Sequence, residues 1–177
     1  MKRLTVLLAV LLLAVLPALA EAAAFTPYDW HVKYTANGQY VVYEFPDIML
    51  FLPIEWEKAI TVEQTETGAA FFQTASYDRF LEDGLPKGGF LFKLRASGDE
   101  SFRDRPEYEY LGFSENANLH FYLSLPSDYQ AYVYDDGIRA EYDAMHKQIG
   151  RIAETAKISK SMHFYTEGIE HTDPGMS

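Results

Sequence analysis

The chain contains no cysteine. This excludes disulfide staples, thiolate metal ligands, thiol nucleophiles and a lipid-modified cysteine behind a leader. Asn37, Asn116 and Asn118 each lack a Ser or Thr two positions on, so no N-glycosylation acceptor is present. Basic residues are few: 15 Lys and Arg stand against 26 Asp and Glu, a formal net charge of −11. Nucleic acid and anionic membrane surfaces repel such a chain, so neither is expected as a partner. Beyond the first two dozen residues there is no second long apolar run, and no membrane span is expected in the mature protein.

The catalytic repertoire is equally thin. There is no G-x-S-x-G elbow, no H-E-x-x-H pair and no cofactor fingerprint. Lys87-Gly88-Gly89 precedes a strand, not the helix that a phosphate cradle requires. Asp135-Asp136-Gly137 has too few ligands for a calcium loop. The acidic pairs Glu55/Glu57, Glu82/Asp83 and Asp135/Asp136 read as solvated surface acids, because adjacency in sequence does not set two carboxyls across a cleft. His31, His120, His146, His163 and His171 have no metal-ligand spacing and read as structural or surface residues. No catalytic residue, metal or cofactor is assigned.

What is present begins with Met1-Lys2-Arg3, an apolar run from Leu4 to Leu16, and the small-residue ending Pro17-Ala18-Leu19-Ala20. That is the layout of a secretory signal peptide over residues 1–20, cleaved after Ala20, with Ala22 and Ala24 as alternatives. Losing Lys2 and Arg3 reduces the 15 basic residues to 13 against 26 acids, a net −13 for the exported chain. The expected product is secreted or extracytoplasmic and carries no lipid. Residues 25–158 are read as one domain, and 159–177 as a weakly ordered tail.

Local patterns fill in the domain. Asn37-Gly38 lies between two β-rich runs, and both residues suit a two-residue type I′ turn. This predicts a half-buried hairpin pairing Tyr34 with Val41, Val32 with Tyr43 and Trp30 with Phe45 on an apolar face. His31 with Glu44, Lys33 with Val42 and Thr35 with Tyr40 take the polar face. Strands are predicted at 48–52, 59–66, 69–74, 89–95, 108–113 and 119–125. Pro53 is placed at the first position of a short helical turn that carries Trp56, and Ser76 as the cap of a helix over 77–83 that stops at Gly84. From Ile138, the residues Tyr142, Met145, Ile149, Ile152 and Ala156 continue one apolar stripe. They predict one long amphipathic helix capped by Asp135 or Asp136. Gly150 within it costs about 1 kcal/mol relative to alanine and is expected to mark close packing. Leu50–Trp56 and Leu123–Tyr129 echo one another as strand, Leu-Pro, acid and aromatic.

Many antiparallel strands closed by a helix make an α+β domain. The early hairpin, the apolar strand ending in Leu52-Pro53-x-x-Trp56, the β-rich middle and the closing helix together resemble the Mog1/PsbP-like fold. That resemblance implies an antiparallel sheet sandwiched by helices and a partner-binding role without shared catalytic residues. Trp30, Phe45, Trp56, Asn37 and Gly38 are the expected structural residues.

Aromatics are abundant, with 13 Tyr, 12 Phe and 2 Trp. Tyr108, Tyr110, Tyr122, Tyr132 and Tyr134 are the candidate binding residues: exposed on a sheet face they form a stacking platform, whereas packed inward they are core. Two classes of function follow. One is an exported non-enzymatic module that binds a cell-surface polymer such as a glycan, or another exported protein. The other is a small secreted hydrolase acting on wall or glycan substrates.

Overall fold

The computed structural model describes residues 30–65 and 68–158. The signal peptide and the C-terminal tail read from the sequence lie outside the described residues. The domain is α+β, with its strands divided between two antiparallel sheets.

The first sheet has the order β1-β2-β3-β9, formed by His31–Tyr34, Tyr40–Phe45, Ile48–Pro53 and Lys157–Ile158. The second has the order β4-β5-β6-β8-β7, formed by Ile60–Thr65, Gly68–Gln73, Phe90–Ser97, Leu119–Ser124 and Tyr108–Ser114. Helix α1 spans Thr74–Glu82. The closing helix runs from Asp136 as α2 (Asp136–His146) and α3 (Ile149–Thr155). Between the two halves the backbone tightens, Gln148 N–H bonding Met145 O at 2.9 Å.

One apolar core lies between these layers. Tyr43 of the first sheet meets Phe71 of the second edge to face at 5.4 Å, and Phe71 stacks on Phe92 at 4.6 Å. α3 packs on both β3 and β7 and so seals the seam between the sheets. The predicted stripe faces inward: Tyr142, Met145, Ile149 and Ile152 are all buried. Asp135 is the cap, its Oδ1 accepting from the Gly137 and Ile138 N–H groups at 2.8 and 3.0 Å.

The hairpin register is as expected, from His31 opposite Glu44 to Tyr34 opposite Val41, and Trp30 stacks on Phe45 at 5.9 Å. The turn differs. Only Gly38 takes positive φ, at +65°, whereas type I′ needs it at Asn37 as well. Thr35 explains the change: its Oγ1 accepts the Tyr40 N–H at 3.1 Å while its carbonyl accepts from Gly38 at 2.8 Å. A wider loop results, with the same register. The apolar face is also not uniformly covered. β1 is an exposed edge along its whole length, with Val32 48% and Tyr34 52% exposed, because among the described residues no layer lies over it. Glu44 pairs with Lys33, diagonal to it, and not with His31.

Three further expectations change. Pro53 ends β3 and precedes the 3₁₀ turn Ile54–Trp56, so it is not the first helical residue. α1 begins at Thr74, and Ser76 lies buried inside it and not at its cap. Gly150 is exposed, with nothing within 4 Å of where a Cβ would stand, so close packing does not explain it.

Trp56 is 1% exposed, and its indole N–H has no partner among the described residues. Apolar burial alone therefore holds it, and Trp56→Ala should cost about 3–5 kcal/mol in chemical denaturation, with Trp56→Phe costing much less. Gly150→Ala should stabilise by up to about 1 kcal/mol, since the new methyl meets open space in a helical backbone. A fall in melting temperature on Gly150→Ala would refute that account.

Candidate functional site

The five tyrosines fall into two groups. Tyr108, Tyr110 and Tyr122 lie on the face of the second sheet turned away from the core, since Phe121 and Leu123, which alternate with Tyr122, are buried inward. There the loop after β6 folds back. Phe102 stacks on Tyr122 at 4.8 Å and meets Tyr108 edge to face at 5.2 Å, leaving Tyr122 only 2% exposed. Guanidinium groups cover the remaining ring faces: Arg95 over Tyr122, Arg103 over Tyr110 and Arg105 over Phe102, at 5.9, 4.9 and 5.5 Å. Tyr110 Oη lies 3.0 Å from His120 Nδ1. Burial raises the Tyr122 phenol above its ordinary value. This group forms a small aromatic cluster that the loop largely covers, a poor stacking platform.

Tyr132 and Tyr134 sit on the connection 125–135 between β8 and α2. Tyr132 is buried. Its hydroxyl donates to Asp83 Oδ2 at 2.5 Å, its ring meets Phe80 edge to face at 5.5 Å, and Arg79 lies 5.3 Å over it. The hydrogen bond to the Asp83 carboxylate raises its pKa. Tyr134 is 82% exposed and leans on Tyr132 at 5.5 Å.

A buried polar relay fixes this connection. Gln73 and Ser76 are both 0% exposed. Ser76 Oγ donates to Gln73 Oε1 at 2.5 Å and accepts the Tyr132 N–H at 3.0 Å. Gln73 Nε2 donates to Ile138 O at 2.9 Å and to Glu141 Oε2 at 2.7 Å. Gly89 N–H donates to Gln130 O at 2.6 Å. Gly89 has φ +75°, and a Cβ there would stand 2.7 Å from Gln73 O, so only glycine fits. The aromatic connection is therefore rigid although it has no regular secondary structure.

Exposed apolar side chains gather around it. Val133 and Tyr134 stand on the connection, while Leu81 and Leu85 flank Phe80 and Asp83, the residues that hold Tyr132. Tyr129, on the same connection, is 54% exposed and meets Tyr142 edge to face at 5.5 Å. It forms one wall of a groove of about 340 Å³ against α2. The sequence reading missed Tyr129 as a surface residue, although the echo had marked it. In the first copy of that echo Trp56 turns into the core, and in the second Tyr129 turns out.

Among the described residues, no three His, Cys, Asp or Glu side chains stand close enough to hold a metal ion. Among the described carboxyls, hydrogen bonds hold Glu63 and Asp99 below the ordinary carboxylate range. His163 and His171 lie outside the described residues. No described helix is long and apolar enough to cross a membrane. Comparisons of the chain with protein-family models, with curated proteins and with solved structures find no match.

Glu63 generates a pH prediction. It accepts from Lys87 Nζ and from Tyr77 Oη, both at 2.5 Å, and these bonds hold its carboxyl below the ordinary value. The stabilisation is therefore present above the unfolded carboxyl pKa of about 4.3 and is lost as pH falls through the lower folded value. Glu63→Gln should lower stability at neutral pH by no more than about 1 kcal/mol and flatten its acid dependence below about pH 4.3. Melting curves from neutral to acid pH check this.

Proposed function

We propose that the chain is an exported, non-enzymatic binding module that recognises a cell-surface polymer or another exported protein through its aromatic surface. The observation that carries the reading is Tyr134, 82% exposed on a base that the Tyr132–Asp83 bond and the Ser76 contact hold in place. A large aromatic presented on a rigid backbone loses little entropy on binding, and its face stacks on a sugar ring or an apolar side chain. Val133 beside Tyr134 in the chain, and Leu81 and Leu85 near Asp83, are further exposed apolar side chains. Tyr108, Tyr110 and Tyr122 support this surface less directly, because Phe102 packs on Tyr108 and Tyr122 while Arg95 and Arg103 lie over Tyr122 and Tyr110. The resemblance to Mog1/PsbP-like proteins leans the same way.

The test is a thermal-shift and pull-down panel on the chain beginning at Glu21, with wall fragments, assorted glycans and exported proteins from the same source. A ligand at a hundred times its dissociation constant should add about 2.7 kcal/mol of stability. Tyr134→Ala combined with Val133→Ser should weaken the partner's binding about tenfold without moving the unliganded melting temperature. Binding that survives the double substitution unchanged would remove this surface from the account.

A further inference from the structure

The groove beside Tyr129 does not include Tyr134, and its chemistry differs from that of the aromatic surface. One wall is the start of the connection, Pro126 to Tyr129; the other is the α2 face carrying Tyr142, Asp143 and His146. Three rings follow one another along it, Tyr129 edge-on to Tyr142 at 5.5 Å and His146 stacked on Tyr142 at 5.9 Å. Two carboxylates stand at its margin. Asp143 Oδ1 accepts from Tyr129 Oη at 2.8 Å, while Asp128 Oδ1 accepts from Gln130 Nε2 at 2.9 Å and Ser127 Oγ at 3.2 Å. The second oxygen of each carries no hydrogen bond among the described residues.

Among the described residues, no cation makes an ion pair with either acid. Arg139 is engaged by Asp136 at 2.8 Å. Lys147 lines the groove one helical turn beyond Asp143, yet makes no ion pair with it. Burial raises the Tyr142 phenol most, Tyr129 and the carboxylates of Asp143 and Asp128 raise it further, and a bond from the Gln130 backbone opposes them. Aromatic faces and carboxylates both attract cations, and the Pro126 ring and tyrosine edges accept an apolar stem. Two carboxylates are too few to strip the water from a divalent metal.

We infer that this groove binds an alkylammonium ion, a primary amine on a short alkyl stem, with the ammonium between Asp128 and Asp143 and the stem along Pro126 and Tyr129. A free amine and a lysine side chain share this chemistry.

The probes are n-butylamine, its neutral isostere n-butanol, and Nα-acetyl-lysine amide, titrated into the isotopically labelled chain from Glu21 and followed by amide NMR shifts. Butylammonium should give saturable shifts at Tyr129, Asp143 and His146, and n-butanol none. Tighter binding of the lysine amide would assign the site to peptide lysines; equal binding would assign it to free amines. Asp143→Asn should weaken butylammonium about tenfold, as should Asp128→Asn, which leaves the Tyr129 bond intact. Lys147→Gln should leave the affinity equal or higher. Butanol binding as well as butylamine, wild-type affinity in both Asn variants, or a loss on Lys147→Gln would each overturn the assignment.

Discussion

The contact on which the rest of the architecture turns is the buried pair Gln73–Ser76. A glutamine at the end of an otherwise apolar strand is costly unless every polar atom finds a partner. Here the amide oxygen takes the Ser76 hydroxyl, and the amide nitrogen serves Ile138 and Glu141. Ser76 then holds the backbone of Tyr132. Four elements that share no ladder, namely β5, α1, the connection 125–135 and α2, are thereby fixed to one another. The exposed tyrosines gain their rigidity from a relay whose two central side chains, Gln73 and Ser76, are wholly hidden. A saturated buried network of this kind sets geometry more than it adds stability, because each bond replaces one to water.

Aromatic rings serve three different ends in this acidic domain. Tyr43, Phe71 and Phe92 fill the space between the sheets. Phe102, Tyr108 and Tyr122 cap the outer sheet face under arginines. Tyr129 and Tyr134 remain on the surface, as do Tyr34 on the first sheet and Phe113 on the second. The scarce cations have a matching pattern: Arg79, Arg95, Arg103 and Arg105 lie over rings. Two of them also meet carboxylates, Arg79 with Glu82 at 2.8 Å and Arg103 with Glu100 at 3.7 Å, so ring and acid share the same cation.

Much of the fold was legible because its signals are periodic. The alternation on either side of Asn37-Gly38 determined the hairpin register, and the stripe from Ile138 determined which side of the closing helix is buried. The turn type was not legible, because the Thr35 hydroxyl supplies a backbone bond that the Asn-Gly signal does not anticipate. Ser76 read as a cap because a serine before a helical run has two uses, and only the distant Gln73 and Tyr132 decide between them. The tyrosines were the hardest. Tyr122 and Tyr134 look alike in sequence, yet one is 2% and the other 82% exposed, a difference made by Phe102 twenty positions upstream of Tyr122. Tyr129 and its groove depend on α2 crossing the connection, which no local pattern encodes.

The two sheets also differ in how the chain assembles them. All five strands of the second sheet come from one uninterrupted stretch, residues 60–124. The first sheet is closed only when Ile158 pairs with Ile48, so its ladder joins the start of the domain to its end. A chain emerging amino-terminus first can complete the second sheet while the first still waits for its final strand and for α3 across the seam. Long loop closure makes that last step the slow one. Docking of α3 and β9 would then act as a latch, and until those residues have emerged the leading hairpin is held only loosely.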